Sequence, residues 1–356
     1  FVSAVLDRSA SIGVRGEFTR DFLVDLGFPE SSVDIIGCPS LFLHGPDHHV
    51  QKRVDAVSAG STMALNLTPE VAGIGAFATD QAQRHPNLTY IGQDAHDLRL
   101  LLWGVAHPHV TDELAPVHLG HRLYQEDRMR LFLDTWTWYD FLAEQDFAYG
   151  TRFHGNVAAL LAGTPAMMLA HDSRTLELAE YHQMPHRLQP AFDAPVQASE
   201  LFEATDLSGF NSAMADRFGR YVAFLERNGL EHRWQQNNDG SAFDEQLAQA
   251  SFPEAVHTLA APDLSEVASR LDWLRHAMVI DLTRSPLRYD YPFNHPAYQG
   301  AGTRHARLSD NRDEKLTAQQ RRIEELTERI ERIERTTVRG FFYRSMRKIR
   351  RYFAGR

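Results

Sequence analysis

Residues 146–174 read Asp-Phe-Ala-Tyr-Gly-Thr-Arg-Phe-His-Gly-Asn-Val-Ala-Ala-Leu-Leu-Ala-Gly-Thr-Pro-Ala-Met-Met-Leu-Ala-His-Asp-Ser-Arg, and this stretch decides the fold. The apolar run Phe147 to Tyr149 predicts a buried strand that ends at Gly150. Thr151-Arg152-Phe153-His154-Gly155 comes next, then a helix-forming run from Asn156 to Ala162 that Gly163 and Pro165 stop. A second buried strand, Ala166 to Ala170, runs into His171-Asp172-Ser173-Arg174, where Asp172 or Ser173 can cap a further helix. The unit is strand–helix–strand–helix, with polar residues gathered where each strand stops.

In such a unit the crossover is right-handed and the strands are parallel, so both carboxyl ends open on one edge of the sheet. Ligands of open α/β sheets bind at that edge. Neighbouring strands lie roughly 4.8 Å apart, which lets Arg152, His154, His171 and Arg174 converge on one small anion. Helix N-termini after each strand add N–H donors and partial positive charge. Singly, each of these residues reads as a surface charge or a hydrogen-bonded loop histidine. Two such clusters on successive strand ends point to a site.

Outward from this unit, residues 1–45 read as helix, short strand (Ile12 to Val14), helix and strand (Val33 to Ile36), with Gly27 and Pro29 closing the second helix. Alternating strands and helices are the α/β signature. Two strands are too few for a nucleotide-binding lobe, so this segment reads as the carboxyl-terminal part of an incomplete N-terminal lobe. Residues 44–61 are polar and broken by Gly and Pro, a candidate hinge. A second lobe, residues 46–232, then opens with the strand Met63 to Leu67. A helix from Pro69, a strand Leu88 to Gly92 and a helix Ala95 to Trp103 follow. Helices are expected over about 122–133 and 135–144, and again within 196–232. Trp136, Trp138, Tyr139 and Phe141 read as core packing in preference to sugar stacking. Cys38, between Gly37 and Pro39, reads as a packed turn residue, not a nucleophile.

Composition narrows the function. A net charge of −10 argues against a nucleic-acid-binding body. The single cysteine excludes an intramolecular disulfide and suits a reducing compartment. The 18 histidines are scattered through loops with no His-x-x-x-His pair on a helix, so metal binding is the weaker reading of them. No run reaches the ~20 apolar residues of a spanning helix.

Gly150-Thr-Arg-Phe-His-Gly-Asn, with Ala-Gly-Thr-Pro-Ala and Ala-His-Asp-Ser-Arg-Thr through Glu177, resembles the polysaccharide pyruvyl transferase family. Ile12-Gly-Val-Arg-Gly-Glu-Phe-Thr and Ile36-Gly-Cys-Pro-Ser resemble it too, and the likeness extends over about residues 8–230. The resemblance implies a two-lobed, GT-B-like α/β fold and transfer of a pyruvyl group from phosphoenolpyruvate to a sugar as a ketal. It implies that Arg152 holds the donor. In the family an arginine can follow the strand here placed at Met63 to Leu67; Asn66-Leu-Thr-Pro stands instead.

That chemistry needs cations for phosphate and carboxylate, for which arginine's planar fork is suited. It also needs an acid to protonate the enol methylene, and His154 is the candidate because histidine titrates near working pH. Phe153, Gly155 and Asn156 would assist through helix N-terminal amides, while His171, Ser173 and Arg174 would line the other side. Asp172 is either a ligand or simply its helix's cap, and Arg15 either faces the cleft or lies on the surface. No cofactor beyond the donor substrate and no metal is required.

Past an irregular, partly helical extension (233–310), Leu316 lies one heptad before Ile323, and Ile323, Leu326, Ile330 and Ile333 fall at alternating spacings of three and four. They predict a coiled coil over 311–337 and hence a homo-oligomer. Residues 338–356 interleave basic and aromatic side chains without an acidic one, which fits an anionic membrane surface. RNA could use the same residues, but an acidic body and a sugar-polymer family favour the membrane, giving a cytoplasmic protein peripheral at the inner face. The acceptor would then be a polysaccharide or lipid-linked sugar. Two rivals stand beside this reading: a sugar-nucleotide glycosyltransferase, and a non-catalytic membrane-tethered scaffold.

Overall fold

A computed structural model describes residues 1–107, 110–235 and 240–260, together with Ser265, Val267, Ala268 and Arg270. Through Val267 the chain packs as one unit. The expected coiled coil (311–337), the basic tail (338–356) and most of the 233–310 extension lie outside the described residues.

The chain runs α1 (Val2–Leu6), β1 (Ile12–Val14), α2 (Glu17–Asp25) and β2 (Val33–Ile35), with β1 and β2 forming a two-stranded parallel sheet. Then come β3 (Met63–Asn66), α3 (Ile74–Arg84), β4 (Leu88–Ile91), α4 (Ala95–Trp103), α5 (Arg122–Gln125), β5 (Met129–Arg130) and α6 (Thr135–Ala143). The central unit is β6 (Phe147–Gly150), α7 (Phe153–Leu161), β7 (Ala166–Ala170) and α8 (Ser173–Tyr181). The described part closes with β8 (His186–Leu188), α9 (Ala198–Ala204), α10 (Ser208–Arg227) and α11 (Ser241–Gln249).

Strands β3 to β8 form a six-stranded sheet in the order β5-β4-β3-β6-β7-β8, every pairing parallel. Parallel strands need long crossovers, which cover both faces with helices and leave the strands apolar on both sides. The alternation is visible residue by residue. Met63, Leu65, Phe147, Tyr149, Met167 and Leu169 point into a core with Ile74 and Phe77 of α3 and Leu201 and Phe202 of α9. Ala64, Ala148, Ala166 and Met168 point into the opposite core with Val157 and Leu160 of α7, Leu178 of α8 and Phe210 of α10. Each fully buried large side chain contributes about 1.5–3 kcal/mol, and Phe147 and Tyr149 are both fully buried.

The order reverses between β3 and β6: the chain builds outward through β4 and β5, then returns to β3's other side with β6. A crevice opens at such a switch point, at the carboxyl ends of the strands. Here those ends are Asn66 and Gly150, partners in register.

Two expectations are corrected, and one strand is new. Residues 122–133 are not one helix: α5 stops at Gln125, Asp127 turns the chain with φ of 50°, and Met129–Arg130 pairs with β4. The helix placed at Pro69 starts at Ile74, after Gly73 in the left-handed conformation. Strand β8 carries no apolar signal because all three of its residues are exposed. Elsewhere Asp172 caps α8, and the 235–310 region holds α11 in its described part.

Candidate functional site at the sheet switch point

The two glycines that flank Thr151-Arg-Phe-His154 are required sterically. A Cβ on Gly150 would lie 1.7 Å from the Asn66 carbonyl oxygen, and one on Gly155 would lie 2.7 Å from both Asn66 Cγ and Gln93 Nε2. Glycine therefore lets β6 turn against the end of β3, and lets the first turn of α7 press onto the loop after β4.

Asn66 organises this approach. Its Oδ1 accepts from the Arg152 amide at 2.9 Å and from Asn156 Nδ2 at 3.3 Å, and its carbonyl accepts from the Thr151 amide at 2.9 Å. Thr151, wholly buried, accepts from the Thr68 amide through Oγ1 at 2.6 Å. The Asn66-Leu-Thr-Pro segment thus supplies the seat of Arg152 where a second arginine was expected.

Arg152 is the N-cap residue of α7, which has no side-chain cap. Its Nε donates to the Leu67 carbonyl at 2.9 Å, and one terminal nitrogen donates to Asp94 Oδ2 at 2.6 Å. The guanidinium has five N–H groups, so these two bonds fix its plane and leave donors for an anion. Asp94 also caps α4, accepting from the His96 and Asp97 amides. Burial works to raise the Asp94 pKa, but the Asp97 amide and the Arg152 guanidinium outweigh it, and the net shift is downward. Asp97 answers in the other direction: burial, then the Asp94 charge, push its carboxyl up to about 6.

His154 lies on the exposed face of α7's first turn. Partial burial and then the Arg174 charge lower its pKa, so its imidazole is neutral near pH 7. His171 is shifted down as well, by burial and by the charges of Arg174 and Arg152, against the opposing pull of Asp172. These mutual effects gather Arg152, His154, His171 and Arg174 into one field at the sheet edge.

Other candidates lie elsewhere. Asn156 is wholly buried; its amide, the group expected to assist, donates to the Arg152 carbonyl at 3.3 Å, and its Nδ2 donates to the carbonyls of Arg152 (2.9 Å) and Gly150 (3.1 Å), locking the turn. The Phe153 ring sits in the core, which leaves only its backbone for a site. Asp172 accepts from the Thr175 amide at 2.7 Å in a complete capping box, and Ser173 lines a separate cavity with Glu17 and Phe18. Arg15 is committed to Glu177 at 2.9 Å, where Glu177 also accepts from Thr19, so it braces α2 against α8.

Sequence reading missed two neighbours. Asp94 carries no motif, only an N-cap position. Cys38 packs as expected, but its Sγ comes within 3.8 Å of His154 Nε2. Its amide donates to Nε2 of His182, whose burial pushes its pKa down to about 3 and keeps it a neutral acceptor. Among the described residues no group of three or more His, Cys, Asp or Glu could hold a metal ion, and no helix is long and apolar enough to cross a membrane.

Among solved structures the chain is similar to a UDP-GlcNAc 2-epimerase from Neisseria meningitidis bound to UDP-GlcNAc, with 10% identity and a TM-score of 0.27. It is also similar to the glycotransferase of kitacinnamycin (15%, 0.26) and to a further UDP-N-acetylglucosamine 2-epimerase (14%, 0.30). The alignments cover 68%, 63% and 69% of this chain and 61%, 51% and 60% of those structures, so the chain spans about three fifths of their length or less. No curated protein matches it. The model of the polysaccharide pyruvyl transferase family matches residues 1–173, which hold β1 through β7, Arg152 and His154. Over that span the chain is similar to the polysaccharide pyruvyl transferase family.

Proposed function

We propose that this protein transfers a pyruvyl group from phosphoenolpyruvate to a sugar of a polysaccharide or lipid-linked precursor, forming a pyruvate ketal. The observation that carries this is the uncapped start of α7 at the switch point, with Arg152 and His154 on the same first turn. First-turn amides and the spare N–H groups of Arg152 would bind the phosphate or carboxylate. Arg174 adds charge from the next strand end.

His154 would then protonate the donor's methylene carbon, leaving positive charge at C2. A sugar hydroxyl adds there and loses its proton, phosphate departs with the C2–O electron pair, and a second hydroxyl of the sugar closes the ketal, also losing its proton. One phosphate leaves for each pyruvyl group transferred. The basic segment 338–356 would hold the enzyme at an anionic membrane where a lipid-linked acceptor resides, and the heptads of 311–337 would pair copies of the chain.

Since His154 is neutral in the free protein near pH 7, the donor's negative charge must draw the proton onto it. The sign follows. Binding raises the His154 pKa, so proton uptake accompanies binding between its free and bound values, and affinity falls as pH rises through that window. Calorimetry of phosphoenolpyruvate in two buffers of different ionisation enthalpy should show this uptake, and His154→Gln should abolish it. Arg152→Ala should weaken binding by at least tenfold, while His154→Ala keeps most of it. Tight binding of uridine diphosphate with no phosphoenolpyruvate binding would overturn the proposal in favour of a sugar-nucleotide enzyme.

A further inference from the structure

A cavity of about 420 Å³ adjoins His154 on the side away from β7, between the start of α4 and the start of α6. Its walls differ in chemistry. One is apolar, made by Leu98, Phe132 and Trp138, with the last two rings nearly parallel at 10° and 6.3 Å between centroids. The other is polar, made by Gln93, Asp94 and His154. In the polar wall, Asp94 Oδ1 accepts two amides and Oδ2 accepts Arg152. A carboxylate offers about four acceptor positions, so capacity for a hydroxyl remains. Gln93 Nε2 and Trp138 Nε1, donors on two lining residues, have no hydrogen-bond partner in the protein.

We infer that this cavity is the acceptor subsite and takes a neutral pyranose ring, stacked by its apolar face on Trp138 and Phe132 and held by a hydroxyl on Asp94. The inference rests on the pyruvyl-transfer reading for the word acceptor, but the binding claim stands on the cavity itself. An anion is the wrong occupant. Asp94 is ionised at neutral pH, its pKa shifted down, and it repels phosphate and carboxylate, while a flat aromatic wall offers them nothing. A ring with hydroxyls on its rim and C–H groups on one face matches both walls, as small-molecule sites combine an apolar lining with few placed polar groups. His154 borders both this cavity and the Arg152 cluster. A hydroxyl held at Asp94 therefore lies beside the place where charge develops on the donor.

Saturation-transfer NMR with methyl pyranosides of glucose, galactose and mannose tests the binding claim. The wild type should transfer saturation to the ring protons of at least one glycoside. Trp138→Ala should reduce the signal at least fivefold. Leu98→Trp, which fills the cavity without removing a wall, should do the same, and it decides the matter if Trp138→Ala fails to fold. Both variants should bind phosphoenolpyruvate within threefold of wild type. No glycoside binding to the wild type, or binding that neither variant weakens, overturns the subsite, as does displacement of the glycoside by uridine at equal concentration. The two readings fail separately. Glycoside binding that depends on the cavity, without phosphoenolpyruvate binding, sinks the donor reading alone; the reverse pattern sinks the subsite alone.

Discussion

Two strand–helix junctions lie side by side at the carboxyl edge of the sheet, and they are finished in opposite ways. At β6–α7 the helix starts from Arg152 with no side-chain cap, behind a glycine that allows strand and helix to crowd Asn66. At β7–α8 the strand ends in an alanine, and Asp172 and Thr175 close the helix with a reciprocal capping box. The helix after β4 is closed in the same manner by Asp94 and Asp97. A carboxylate cap satisfies the amides and cancels the positive end of the helix; an arginine in its place leaves the amides open and adds charge. The chain thus caps the starts of α4 and α8 with carboxylates and leaves the start of α7, at Arg152, without a side-chain cap.

Three substitutions, with Gly163→Ala as a control for the first, probe this contrast. The largest effect is expected from Gly150→Ala, whose methyl group would overlap the Asn66 carbonyl. It should cost about 3 kcal/mol or more in urea unfolding. Gly163→Ala, at φ of 79° with open space around it, should cost only roughly 1–2 kcal/mol. If the two cost the same, the close approach of β6 to β3 is not what the glycine serves. Next comes Arg152→Asp, which gives α7 the kind of cap that α8 has. Its stability should stay within about 1 kcal/mol of wild type, while phosphoenolpyruvate affinity, read by calorimetry, should fall roughly 100-fold or more as charge is reversed at a helix N-terminus. Unchanged affinity would mean that this junction is not the donor site. The smallest effect is expected from Asp172→Ala: a loss of about 1 kcal/mol from the missing cap, with donor affinity within threefold.

Much of this was legible in residues 146–174, because buried parallel strands write themselves as short apolar runs and the stops between them are Gly, Pro and Asp. The cap of α8 was legible for the same reason. The edges of the sheet were not. Met129–Arg130 is two residues long and follows a turn at Asp127, so the surrounding apolar spacing read as helix. His186–Leu188 buries no side chain and left no period to detect. Within the site, Arg152 and His154 stood out by type and placement, whereas Asp94 looked like any helix cap until β4 was set beside β3. Asn156 and Arg15 show the converse. Each has the chemistry of a ligand contact, and the structure gives each a protein partner instead. Trp138, read from sequence as core packing in preference to sugar stacking, both packs on the core and lines the cavity beside His154.

The bond between the Arg152 amide and Asn66 has a consequence for how the molecule comes into being. It joins residues 86 positions apart, and the Arg152–Asp94 pair spans 58. Neither can form while β3, β4 and β6 are unpaired, and such pairings of high sequence separation are slow to close. Helix α7 can form from local contacts well before that, but its first turn then has nothing to orient the guanidinium. Competence to bind an anion should therefore lag behind helix content during refolding and arrive with the β3–β6 pairing, late on the path to the native chain.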